Sequence, residues 1–176
     1  HLAQEGPPDV LLVSDMLNVP AFLALVRPAL ADPPVVYYAH ENQLTYPLPP
    51  GEKRDLSYAL INLQSMLAAD RICFNSQFHL DSWFDGLPRL LKHFPDYNHL
   101  SLVDDLRTRS QVLPLGLDLH ELELYAADRS IPAGPPLIVW NQRWEYDKNP
   151  AEFFAALYQI MDEVYDFQVV LLGENF

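Results

Sequence analysis

Short apolar runs closed by polar residues recur along this chain, and they alternate with stretches in which large apolar residues return at helical spacing. That alternation is the pattern of βαβ units, where a crossover helix carries the chain back to extend a parallel sheet. Strands are expected at Asp9–Val13, Val35–Ala39, Arg71–Phe74, Gln111–Leu115, Leu137–Trp140 and Gln168–Leu172. Between them, Leu56, Leu60, Leu63 and Leu67 form one helical stripe, and Phe153, Leu157, Ile160 and Val164 form another. Each stripe can bury against a sheet. The second helix has a marked start, because Asn149 suits the cap, Pro150 the first helical position, and Glu152 follows the cap at the spacing of a capping box. Ser76, ahead of Phe78–Phe84, reads as a cap of the same kind.

The stretch 120–136 breaks this rhythm. It carries Ala126-Ala127-Asp128-Arg129-Ser130, Gly134 and paired Pro135-Pro136 between two strand signals, and reads as a linker. Residues 1–118 are therefore expected to form one α/β domain, 119–136 a linker, and 137–176 a βαβ unit of a second parallel sheet. The turn from Tyr46 to Gly51 follows a strand and enters a long helix, so it belongs to the first domain as a loop on its ligand side. His1 is not an initiator, and the chain stops just after an apolar strand, where a βα unit continues in intact domains. A fragment is the expectation.

Composition narrows the classes. The chain is 49% hydrophobic and 20% charged, as ordinary soluble proteins are, and its apolar runs fall well short of the ~20 residues that cross a bilayer. No basic-then-apolar leader opens it, and Cys73, its one cysteine, excludes an internal disulfide and reads as a buried, inert thiol. These features point to the cytoplasm and to no membrane. The net charge of −13 repels phosphate backbones at long range, so any cations that bind phosphate must act locally.

In doubly wound sheets, ligands lie outside the carboxyl ends of the strands. The residues just past each apolar run are Ser14-Asp15, His40-Glu41-Asn42, Asn75-Ser76, Gly116, Asn141 with Arg143, and Gly173-Glu174-Asn175. Taken singly, each also fits a turn or a helix cap. His40-Glu41-Asn42-Gln43 stands out because four polar side chains close a purely apolar strand. His40 there could hydrogen-bond a sugar hydroxyl or stabilise positive charge through its backbone carbonyl, although a lone histidine is more often structural. His79, His93, His99 and His120 show no metal-ligand spacing with Cys73 or with each other, and no metal is assigned. In the loop from Trp140 to Pro150, Arg143 and Lys148 precede a helix N-terminus whose N–H groups favour an anion, so together they could hold a diphosphate without metal. The plainer alternative pairs them with Glu145 and Asp147 on a solvated loop. Trp140 and Trp144 favour a partly enclosed site. His40, Asn75, Gly116 and Arg143 are expected to face one cleft.

Two segments, Ala39-His40-Glu41-Asn42-Gln43-Leu44-Thr45-Tyr46-Pro47 and Trp140-Asn141-Gln142-Arg143-Trp144-Glu145-Tyr146-Asp147-Lys148-Asn149-Pro150, resemble the signatures of the tRNA-queuosine α-mannosyltransferases. Phe74-Asn75-Ser76-Gln77-Phe78 and Leu113-Pro114-Leu115-Gly116-Leu117-Asp118 are also similar to retaining glycosyltransferases of the GT-B architecture in general. The resemblance runs from about residue 9 to the end. It implies the later part of an N-terminal Rossmann-like domain, followed by the first βαβ of a second one. It implies GDP-mannose as donor, a hydroxyl of queuosine in tRNA as acceptor, transfer with retention, and no cofactor or metal. Arg143 and Lys148, with Asn141, match the donor-diphosphate site; His40 matches the histidine facing the transferred sugar, with Glu41 and Asn42 beside it. Asn75, Ser76, Gly116, Gly173 and Glu174 would line the rest of the cleft. The family's glycine-bearing first strand and its later glutamate motif have no counterpart here, so this fragment alone is expected to be inactive. A non-catalytic GT-B-like binding module and a nucleotide-sugar transferase with a non-RNA acceptor are the alternatives. A dinucleotide oxidoreductase is disfavoured, because no G-x-G-x-x-G follows any strand.

Overall fold

The computed structural model describes residues 6–126, 134–163 and 166–173. The middle of the expected linker, Val164 of the second helical stripe, and Glu174 and Asn175 lie outside the described residues. The chain divides into two compact units, one of His1–Tyr46 with Arg54–Gly116 and one of Pro47–Lys53 with Leu117–Phe176.

The first unit is α/β, with a four-stranded parallel sheet in the order β1-β2-β3-β4 (Leu11–Ser14, Val35–Ala39, Arg71–Phe74, Ser110–Val112). Its helices are α1 (Val19–Val26), α2 (Leu56–Ala68), α3 (Gln77–Leu91) and α4 (Leu102–Thr108). Register places Val13 beside Tyr37 and Tyr37 beside Ile72, and likewise Ala39 beside Phe74 and Phe74 beside Val112. Because alternate residues share a face, these rows form one apolar side, and Val13, Tyr37, Ile72, Ala39 and Phe74 are buried in a core with Leu63, Met66, Trp83 and Leu87. The other side is less covered: Leu12, on β1, is 72% exposed. Among the described residues β1 pairs only with β2, so it is an edge strand. Cys73 is buried on β3 as expected, beside Gln111, whose Nε2 lies 3.5 Å from its Sγ.

Expected strands β2 and β3 match the observed bounds, whereas β4 stops at Val112. The Leu113 N–H still donates to Phe74 O at 2.8 Å, but Pro114 has no N–H to continue the ladder. In α2 the expected stripe shifts: Ala59, Leu63 and Met66 are buried with Asn62 and Ser65, while Leu67 is exposed. Ser65 explains its own burial, since its Oγ accepts from the Val19 N–H at 3.1 Å and donates to Leu17 O at 3.0 Å. One hydroxyl thus ties the start of α1 to the middle of α2.

In the second unit, β5 (Leu137–Asn141) and β6 (Gln168–Leu172) pair in parallel, joined through α6 (Pro150–Asp162). A further helix, α5 (Leu119–Ala126), occupies the first part of the expected linker; Asp118 Oδ1 accepts from the Glu121 N–H at 3.1 Å and caps it. In α6 Leu157 is buried and Ile160 is exposed at the edge of the stripe. Trp140 and Trp144 pack with Phe153 and Phe154, the Trp144 and Phe154 rings stacked within 4° of parallel. The tryptophans therefore fasten the loop between them onto α6.

Ser65→Ala leaves the buried Val19 N–H and the part-buried Leu17 carbonyl without their shared partner and is expected to cost about 1–3 kcal/mol, while Gln64→Ala on the exposed neighbour changes stability by at most about 0.5 kcal/mol. Urea denaturation of both variants against wild type checks this, and equal midpoints would refute the latch.

Candidate active site

The chain leaves β2 at Ala39 directly above β1 and β3, and the loop that follows is bound from several sides. Asp15, just past the end of β1, is 1% exposed. Its Oδ2 accepts from the Glu41 N–H at 2.7 Å and from the His40 N–H at 3.3 Å, and its Oδ1 meets the His40 ring at Nδ1. Burial pushes the Asp15 carboxyl up from its ordinary pKa, against the Glu41 N–H and the His40 ring, which pull it down. Burial, with Asp15 nearby, also pushes up the Tyr37 hydroxyl.

From the other side, Asn75 follows β3. Its backbone N–H donates to Ala39 O at 3.2 Å and its Nδ2 to His40 O at 3.0 Å. That bond occupies one of the two acceptor positions of the His40 carbonyl. Asn75 Oδ1 faces Ser76 Oγ and His79 Nδ1, at 3.2 and 3.1 Å. With the Asn75 amide nitrogen turned to His40, the His79 ring is the donor at Nδ1, and its buried Nε2 has no partner among the described residues. Ser76 is the N-cap of α3 and accepts from the His79 N–H at 3.2 Å.

Asn42 fixes the rest of the loop. Its Oδ1 accepts from the Leu44 N–H at 3.0 Å, and its Nδ2 donates to Ser82 Oγ at 2.8 Å. Leu44 lies against Gly86 on α3, where a Cβ would come within 3.2 Å of Leu44 Cδ1. Arg54 closes the loop by donating to Gln43 O and Tyr46 O at 3.2 and 2.6 Å. Glu41 is exposed, its Oε2 accepting from Gln43 Nε2 at 3.2 Å.

These residues enclose a cavity of about 230 Å³ at the carboxyl ends of β2 and β3, and His40, Glu41, Asn42, Asn75 and Ser76 all line it. His79, Ser82 and Phe78 line it as well. Phe78 is 81% exposed. Sequence reasoning placed Asp15 at a strand end without a role and set His79 aside for lack of metal spacing; the signal for His79 was its position four residues after Asn75 at a capped helix start. A larger hollow of about 670 Å³ lies by the amino end of β2, walled by Leu23, Leu30 and Pro33, where Asp70 Oδ2 already accepts from the Val35 N–H at 2.7 Å. No set of catalytic groups converges there.

In the second unit, Asn141 ends β5 and is exposed. Arg143 Nη1 lies 3.0 Å from Glu145 Oε1, and Lys148 is paired with Asp147. The ion pairs weighed from sequence are thus formed; the exposed Arg143–Glu145 pair adds little stability, whereas Asp147 is largely buried beside Lys148. Asn149 takes a left-handed conformation, φ 51° and ψ 53°, and its Nδ2 contacts Glu152 Oε2. It does not cap α6 through its side chain as expected, so the first N–H groups of that helix receive no side-chain cap. At Gly173, φ is 114° and a Cβ would stand 2.2 Å from Gln142 O, so only glycine lets the end of β6 lie against this loop. Gly116 ends the first unit in non-helical chain with open space around it. Glu174 lies outside the described residues. Among the described residues no three His, Cys, Asp or Glu are grouped to hold a metal, and no helix is long and apolar enough to cross a membrane.

Burial, and secondarily the charge of His40, lowers the His79 pKa from 6.5 to about 4. Between those values the unfolded chain takes up a proton that the folded chain refuses, so stability is full above the upper value and falls with decreasing pH, by up to about 3 kcal/mol. The raised Asp15 carboxyl acts with the opposite sign, so a variant is needed to isolate His79. His79→Gln is expected to flatten the loss of urea midpoint between about pH 7 and about pH 5; parallel wild-type and variant curves would show that His79 is not held neutral.

A family model described as tRNA-queuosine alpha-mannosyltransferase N-terminal matches residues 1–117, which include β1–β4 and the whole of this cavity. The full chain is 32% identical, over 186 aligned residues, to a Drosophila melanogaster protein named tRNA-queuosine alpha-mannosyltransferase, and it spans about half (49%) of that relative's length. No solved structure matches the chain. The chain belongs to the tRNA-queuosine alpha-mannosyltransferase family.

Proposed function

We propose that this protein is a cytoplasmic glycosyltransferase of the GT-B architecture that moves mannose from GDP-mannose, with retention, onto a hydroxyl of queuosine in tRNA. One observation carries the reading: the segment 39–47, which bears the resemblance, is bound by Asp15, Asn75, Ser82 and Arg54 around a cavity at the strand ends. That is where an α/β domain presents groups to a ligand.

In this scheme His40 faces the transferred sugar. Arg143 and Lys148 exchange Glu145 and Asp147 for the donor's diphosphate, aided by the uncapped start of α6. The sugar–oxygen bond to the diphosphate breaks as the acceptor hydroxyl attacks from the same face, and no enzyme nucleophile is needed. The leaving diphosphate gains charge in that step, and fixed cations beside it lower the barrier. Asn42 serves by shaping the loop, because both ends of its amide are bonded to protein. The acceptor comes from the relative's name, and the net charge of −13 means that tRNA must be met by cations clustered locally.

In the full-length protein, Arg143→Ala and Lys148→Ala are each expected to lower turnover at saturating donor by roughly a hundred- to a thousandfold with the melting temperature unchanged. Glu145→Ala, which removes only an exposed ion-pair partner, is the control. Near-wild-type rates in the first two, assayed with GDP-mannose and queuosine-containing tRNA, would refute the diphosphate role.

A further inference from the structure

A carboxylate this deeply buried ordinarily has an arginine or lysine beside it. Among the described residues Asp15 has neither: the His40 ring and the His40 and Glu41 N–H groups meet it instead. Both backbone donors fall on Oδ2, and the buried Oδ1, which accepts no hydrogen bond among the described residues, is in contact with the ring at Nδ1. The half-exposed ring then has Nδ1 turned inward to a carboxylate while it lines the cavity. Asn75, bonded to the His40 carbonyl, holds the same residue from the β3 side.

We propose that Asp15 is a positioning residue: it holds the His40 ring with a proton on Nδ1 turned to the carboxylate, so that Nε2 is the nitrogen presented to the cavity and to a sugar hydroxyl. The inference rests on the reading of His40 as the group facing the transferred sugar. The Nδ1 proton follows from the partner at that nitrogen, since a carboxylate can only accept.

Asp15→Asn tests this at constant shape. Its Oδ must still accept from the Glu41 N–H, so its NH₂ faces His40 and turns Nδ1 into an acceptor, which moves the ring proton to Nε2. In the full-length protein labelled with ¹⁵N-histidine, the wild-type His40 signal, assigned by its loss in His40→Ala, is expected to show Nδ1–H, and the Asp15→Asn signal Nε2–H. kcat/KM for GDP-mannose is expected to fall about ten- to a hundredfold in Asp15→Asn, comparably in His40→Ala, and little further in the double variant. A wild-type Nε2–H tautomer overturns the proposal even if Asp15→Asn does not fold. So does wild-type activity in Asp15→Asn when His40→Ala is impaired, a result that leaves the reading of His40 standing. Wild-type activity in His40→Ala overturns both.

Discussion

A carboxylate taken out of water must be satisfied by donors that reach it, and at Asp15 those donors come from the first residues after β2. Everything near the cavity depends on that requirement. The chain must turn over the end of β1 as it leaves the sheet, which brings the His40 carbonyl to Asn75 beyond β3 and the Asn42 side chain to Ser82 on α3. Parallel pairing makes this possible, because β1, β2 and β3 all end on the same side. Three sequence-distant polar residues are thereby gathered without any of them being adjacent in the chain.

The second unit reaches a similar end by different means. Its loop between β5 and α6 is held by ring packing and by one close backbone approach: Trp140 and Trp144 rest on Phe153 and Phe154, and Gly173 lies against Gln142. Of its charged groups, Arg143 pairs with Glu145 at the surface and Lys148 with a largely buried Asp147. An exposed pair such as Arg143–Glu145 is easily exchanged for a stronger anion, whereas the aromatic packing that holds the loop is costly to disturb.

Much of the sheet was legible because buried strands write themselves as short apolar runs: Val35–Ala39, Arg71–Phe74 and Gln168–Leu172 have the observed bounds. Two first-unit helices were not legible. In α1, Val-Pro-Ala-Phe-Leu-Ala-Leu-Val is apolar nearly all round and carries no stripe, and α4 is only two turns long. The α3 helix contains Gly86 and Pro88, which local propensity disfavours, and it is held by Trp83, Phe84 and Leu87 in the core. At the site, strand ends pointed to His40, Asn75 and Ser76 as neighbours. What periodicity could not show was a role for Asp15 or His79, since both act through contacts that depend on how strands are ordered across the sheet.

The binding of the His40 loop has a thermodynamic consequence. Its backbone and side chains are tied to β1, β3, α3 and Arg54, so its conformational freedom is already lost when the protein folds. A ligand entering the cavity does not have to order that wall, and little of its interaction energy goes into immobilising side chains. Such a surface favours a rigid ligand that matches its shape over one that would have to remould it.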